Sequence, residues 1–186
     1  MKRTIFSALS ILVFSAAALA QAPAEEIEKA LTPLTGAQAT MRDGATVIKW
    51  KADFTYDTLR KGTNKMVCYD RSGQPGQAAF AVECTSLANL ERVAQNLKTE
   101  AANTDPKAKR AAFEELEKSG KWIKPEVGSV WIHVTGQNAT ATRKHITIAM
   151  PGATGKTLGL PENGQQGGVW IMDAGSSEAH LMIPGN

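Results

Sequence analysis

The residues best suited to bind a metal or move a proton near neutral pH are three histidines, His133, His145 and His180. His145 and His180 each open a short apolar run that reads as a β-strand. On a strand, residues i and i+2 share a face. His180 and Met182 therefore point together, as do Trp170 and Met172. Imidazole suits either copper state and thioether suits Cu(I). His145, Trp170, Met172, His180 and Met182 are thus the candidate binding residues, and a metal reading takes His145 and His180 as ligands and copper as the cofactor. The plainer reading needs no cofactor. Strand Met and Trp are usually core, and a strand histidine usually hydrogen-bonds a backbone carbonyl or a carboxylate. Both readings stand on sequence grounds.

Other chemistries find less support. Gly155-Lys156-Thr157 invites comparison with a phosphate loop, which needs Gly-x4-Gly-Lys-Ser/Thr so that backbone N–H groups wrap the phosphates. Here Met150 stands at the first glycine position and Pro151 follows it, so a turn is expected instead. A hydrolase needs a nucleophile and base held together. Ser176 and Ser177 precede His180 with Asp173 nearby, yet there is no Gly-x-Ser-x-Gly elbow, and Ala174 to Ser177 reads equally well as a hairpin turn. No His-x-x-x-His zinc spacing occurs. The acidic pairs Glu25-Glu26 and Glu114-Glu115 fall on expected solvated helix faces. No catalytic residue is assigned.

Cys68 and Cys84 are the two cysteines. Their spacing fits neither a Cys-x-x-Cys redox motif nor a closed zinc site. Lys65 to Tyr69 and Phe80 to Cys84 are strand-like, and Ser72-Gly73-Gln74-Pro75-Gly76 is dense turn chemistry. A hairpin with a Cys68–Cys84 disulfide is expected, placing Tyr69 opposite Glu83 and Asp70 opposite Val82. Such a bond would stabilise by about 3 kcal/mol in the chain-entropy model.

A disulfide implies an oxidising compartment, and the N-terminus agrees. Lys2 and Arg3 precede an apolar run from Ile5 to Leu19, and Ala18-Leu19-Ala20 or Ala20-Gln21-Ala22 supplies a small-x-small cleavage site. Residues 1–20 are therefore expected to be a bacterial signal peptide, cleaved after Ala20 or Ala22. Residues 21–186 would be one mature domain, periplasmic or secreted, with no integral membrane segment after cleavage. Losing Lys2 and Arg3 also brings the 21 basic and 18 acidic residues nearly to balance. That removes the case for nucleic acid as a partner.

The elements that must position these residues follow from periodicity. Glu25 to Leu34 reads as a short helix with Pro33 near its end. Thr46 to Lys51 alternates as a strand, and Thr55 to Arg60 is another. Ser86 is placed to cap a helix with Leu87, Leu90, Val93, Ala94, Leu97 and Ala101 on one stripe. Asp105 and Pro106 are placed as N-cap and N1 of a second helix, with Glu114 and Lys118 paired at i, i+4 and Gly120 as its C′ residue. Ser129 to Thr135, Lys144 to Met150, Val169 to Asp173 and Ala179 to Ile183 complete the strands, the last two as a hairpin with Met172 facing His180 and Trp170 facing Met182. A helical turn is expected at Leu158 to Leu160. His145-Ile-Thr-Ile-Ala-Met-Pro-Gly also echoes His180-Leu-Met-Ile-Pro-Gly. The fold expected is α+β: an antiparallel β-sheet with an inserted helical hairpin and one disulfide, burying Trp50, Trp131 and Trp170.

Gly44 to Val47 with Trp50, Leu59 to Asn64 with Cys68, His145 to Pro151, Gly168 to Met172 and Ala179 to Pro184 together make a pattern. On it the chain resembles a group of uncharacterised exported bacterial proteins over residues 44–186, and departs from it in the charged helical segment 86–118. The resemblance implies a shared fold and export and carries no catalytic residues. The functional expectation is a non-catalytic domain that binds a small molecule or an envelope component, with a metal-binding protein or metalloenzyme as the alternative.

Overall fold

The computed structural model describes residues 24–185; the expected leader and its cleavage sites lie outside that range. A helix over residues 24–30, α1, opens the described chain. There follow β1 (Thr46–Trp50), β2 (Tyr56–Arg60), β3 (Met66–Asp70) and β4 (Phe80–Ser86). Two helices come next, α2 (Leu90–Ala102) and α3 (Pro106–Lys118). The chain then returns to strand in β5 (Val130–Asn138) and β6 (Ala141–Ala149), makes one turn of helix, α4 (Gly155–Leu158), and ends in β7 (Trp170–Met172) and β8 (His180–Pro184). All eight strands form one sheet, in the order β2-β1-β3-β4-β5-β6-β8-β7. The fold is α+β, with the helical hairpin inserted between β4 and β5. Among the described residues no helix is long and apolar enough to cross a membrane.

The sheet is mixed rather than wholly antiparallel, because β1 and β3 pair in parallel, with Thr46 beside Val67 and Val47 beside Cys68. The reason lies in the five residues joining β2 to β3. β2 runs back along β1 and ends with Arg60 opposite Val47, beside the start of β1. The chain then passes around that start and enters β3 on the other side, already pointing the same way as β1. Residues 59–64, prominent in the sequence, form the clasp. Arg60 donates from Nη2 to Ala45 O at 2.8 Å, and Gly62 N donates to Thr46 Oγ1 at 3.1 Å. Thr63 N and Asn64 N both donate to Gly44 O, at 2.8 and 2.9 Å. Asn64 Nδ2 reaches Met41 O at 2.8 Å. A Cβ on Gly62 would stand 2.3 Å from Gly44 O and 2.4 Å from Thr46 N, both backbone atoms with nowhere to go. Gly62→Ala is expected to lower the unfolding free energy by about 1–3 kcal/mol or more, as overpacking does. A urea transition with an unchanged midpoint would show that the clasp can open without cost.

Cys68 lies opposite Cys84 between β3 and β4 and is bonded to it, with Tyr69 opposite Glu83 and Asp70 opposite Val82. Period-two alternation then sorts the sheet into two faces. One carries Val47, Cys68, Cys84 and Ile132, all fully buried beneath Ala30, Leu31 and Leu34 from the α1 segment. The other carries Val67 and Tyr69, against which Val93 and Leu97 of α2 pack. Asp105 caps α3 as its position demands, accepting from Lys107 N and Ala108 N, and Gly120 takes the left-handed conformation just past its end. Glu114 pairs backward with Arg110 at 3.4 Å instead of forward with Lys118. The short helical turn falls at α4 and not at 158–160, since Thr154 caps it by accepting from Thr157 N.

Trp50, Trp131 and Trp170 are half-buried rather than sealed in the core. β1 lies near one sheet edge, β7 is the other edge, and Trp131 borders a cleft. The tryptophan with little exposure is Trp122, at 7%.

Candidate functional site

β4, β5 and β6 lie side by side in a register that lines up Glu83, His133 and His145. All three project from the face covered by α2. Tyr69 extends the row on β3 and donates to Glu83 Oε2 at 3.0 Å. Arg71 Nη1 lies 3.4 Å from Glu83 Oε1 and Arg71 Nη2 donates to Glu100 Oε2 of α2 at 2.6 Å. His133 Nδ1 lies 3.4 Å from Glu83 Oε1, and the His133 and His145 rings stack with centroids 4.6 Å apart and planes 13° from parallel.

The electrostatics follow from burial and contacts. Burial alone would push the Glu83 carboxyl up, but His133, Arg71 and Tyr69 together outweigh it and hold it at about 2. Burial, reinforced by neighbouring Glu83, carries the Tyr69 phenol well above its usual value. The guanidinium of Arg71 is opposed by burial too, yet Glu83 and Glu100 more than compensate and raise it. Burial, with His133 alongside, pushes the His145 imidazole down to about 4. At neutral pH the row thus holds an ionised carboxylate beside the Arg71 guanidinium and ends in a neutral imidazole.

The row does not fill the space under the helical hairpin. A cleft of about 460 Å³ opens there, with Trp131, His133, His145, Thr147, His180 and Met182 on its floor and Met172 at its rim. Arg92, Val93 and Asn96 of α2 form one wall, with Pro125 and Glu178 beside them. Arg92 is nearly buried and committed on every side: Nη1 donates to Ile123 O at 2.7 Å, Nη2 lies 3.6 Å from Glu178 Oε1, and the guanidinium sits over the Trp122 ring at 4.6 Å. Burial lowers its pKa, and burial raises that of Glu178. The charged groups that border the cleft are paired within the protein, Arg71 with Glu83 and Arg92 with Glu178, and the rest of its lining is imidazole, indole, thioether, hydroxyl, amide and aliphatic carbon.

The C-terminal hairpin has the register expected, with Met172 opposite His180 and Trp170 opposite Met182. β8 also pairs with β6, His180 opposite Ala149 and His145 opposite Pro184. The two echoing His-to-Pro-Gly segments are therefore antiparallel neighbours, and local two-fold symmetry sends their histidines to opposite ends. His180 stands four residues along from His145, about 13 Å at the usual rise per strand residue. His145 instead meets His133. Of the five expected binding residues, His145, Met172, His180 and Met182 border the cleft; Trp170 turns away toward residues 161–168, where a Cβ on Gly164 would stand 3.1 Å from its Nε1. His180 is half-buried with Nδ1 2.7 Å from Glu178 O.

The hydrolase elements do not assemble. Ser176 closes the β7–β8 turn, its Oγ donating to Asp173 O at 2.6 Å and accepting from Glu178 N at 3.1 Å. Gly155, in the segment that resembles a phosphate loop, spends its N–H on Glu162 Oε1 at 2.7 Å. Among the described residues no group of three or more His, Cys, Asp and Glu gathers as a metal site.

Comparison with models of known protein families, with curated proteins and with solved structures returned no match.

Proposed function

We propose that this chain is an exported, non-catalytic binding protein whose ligand is seated in the cleft between α2 and the β5–β6–β8 floor. The observation that carries the reading is the character of that cleft. Its volume falls in the range of small-molecule sites, and it combines apolar surface with a few fixed polar groups. Its charged side chains are paired with one another, so they hold the walls in place and leave neutral donors facing the ligand. Against catalysis by a serine nucleophile stands the use of the Ser176 hydroxyl in a turn. Export is supported by the basic and apolar N-terminus and by the buried Cys68–Cys84 bond, and the resemblance to exported bacterial proteins agrees with it.

The test is native mass spectrometry of the protein expressed with its leader and purified from the periplasm. The expected result is a mature chain lacking its first 20 or 22 residues and carrying a retained mass. Trp131→Ala should shed that mass without unfolding the chain. A full-length precursor in the cytoplasm would sink the export reading. A bare mature chain, showing no shift of the Trp131 indole or His145 ring resonances in periplasmic extract, would sink the binding reading.

A further inference from the structure

We propose that the cleft-side face of the β7–β8 hairpin is a Cu(I) site, with the thioethers of Met172 and Met182 and Nε2 of His180 as donors. The inference rests on the cleft being a binding site and names the class of ligand that its hairpin end takes.

The backbone brings the three donors together. Met172 and His180 are directly opposed across antiparallel strands, which places their Cβ atoms about 4.5–5.5 Å apart. His180 and Met182 are two residues apart on one strand and share its face. All three border the same space. Methionine has three rotatable bonds and adapts to such a gap.

The donors are also in the right chemical state. A carbonyl oxygen only accepts, so the 2.7 Å contact between His180 Nδ1 and Glu178 O puts the ring proton on Nδ1. Nε2 is then the ring nitrogen that can coordinate. Ligating histidines are commonly oriented in this way, with the second ring nitrogen tied to a carbonyl or carboxylate. Met172 is 39% exposed, on a three-residue edge strand where a long apolar side chain gains little by packing. One imidazole with two thioethers is a soft set that favours Cu(I) over harder divalent ions. Glu178, the carboxylate that borders the cleft beside His180, is paired with Arg92 at 3.6 Å. His145 is not a donor here, because the pairing of β6 with β8 sets it about 13 Å along the strand from His180.

The experiment is an anaerobic titration of the mature, disulfide-intact protein with Cu(I) in competition with bicinchoninate. No thiol reductant is used, and a thiol assay afterwards confirms that Cys68 and Cys84 stay bonded. One equivalent of Cu(I) is expected to be retained against the chelator. Met172→Leu and Met182→Leu should each weaken binding by about a hundredfold or more, beyond the 10–100-fold typical of losing an outer-shell partner, while Met41→Leu, at a side chain packed against the core on the other side of the sheet, leaves it unchanged. Because His180→Ala also removes the Glu178 contact, a second measurement uses the wild-type chain with Ag(I) as a redox-inert probe. The methionine methyl resonances of Met172 and Met182 should shift, and those of Met41, Met66 and Met150 should not. Failure to retain Cu(I), equal loss in Met41→Leu, or Ag(I) shifts elsewhere would overturn the proposal. A retained organic mass in the periplasmic protein with no Cu(I) uptake would overturn the copper site and leave the cleft reading standing.

Discussion

Glu83→Ala is expected to lower the free energy of unfolding by about 3–5 kcal/mol, the cost of removing one partner from a buried ion pair. Three side chains lose their acceptor at once. Tyr69 is fully buried and its hydroxyl donates to Glu83. Arg71 keeps Glu100 but loses the carboxylate that answers its second charged edge. His133 loses the group that faces its Nδ1. A buried donor left without a partner costs about 1–3 kcal/mol by itself, and the Arg71 charge adds to that. Glu83→Gln keeps an acceptor for Tyr69 and is expected to cost less. Replacing Arg71 and Glu83 together by Met should recover part of the loss, because an apolar pair leaves no charge stranded. Urea transitions of the four proteins check the ranking. If Glu83→Ala and the double replacement fall together, the pairing is not what makes Glu83 costly to lose.

Glu83 is also the clearest case of what the sequence could and could not show. Its place opposite Tyr69 was readable, because the hairpin from Lys65 to Cys84 is local and its turn residues fix the register. The β7–β8 pairing was readable for the same reason. Its meeting with His133 and His145 was not. That row depends on the registers of β4 with β5 and of β5 with β6, and the helical hairpin stands between β4 and β5 in the chain. Period-two alternation assigns a residue to a face but does not choose its partner across an insertion. The parallel pairing of β1 with β3 was hidden likewise, since nothing local in the run from Leu59 to Asn64 marks it as a clasp around Gly44. The binding residues proposed from strand parity came out mostly on one cleft. Trp170 did not, because an edge strand offers its side chain to the adjoining loop as readily as to the sheet. Arg71, Arg92 and Glu178, which set the cleft's charge balance, carried no local signal. Each is defined by a partner far away in sequence.

Stability is expected to fall in two stages as the pH is lowered from about 6.5 to about 2. In the first stage His145 is the cause. Burial, with His133 alongside, lowers its pKa from 6.5 in the unfolded chain to about 4 in the fold. Between those values the unfolded chain takes up a proton that the folded chain refuses, so stability is full above 6.5 and drains away toward 4. The ring is half exposed, so solvent screening keeps this contribution small. In the second stage Glu83 is the cause. Burial opposes its charge, but His133, Arg71 and Tyr69 hold it at about 2 against 4.5 when unfolded. Its stabilisation is complete above 4.5 and is lost as the pH falls toward 2, on the order of 3 kcal/mol for a gap of that size. Glu178 acts in the opposite sense, because burial raises its pKa, and its pairing with Arg92 limits the offset. Urea midpoints at pH 7, 5.5, 4 and 3 and constant ionic strength would trace the profile. His145→Gln should flatten the stage above pH 4 and leave the lower one, whereas Glu83→Gln should flatten the lower one. A profile level down to pH 4 in the wild type, or one that His145→Gln leaves unchanged, would mean that the stacked imidazole is solvated well enough to titrate as it does in the unfolded chain.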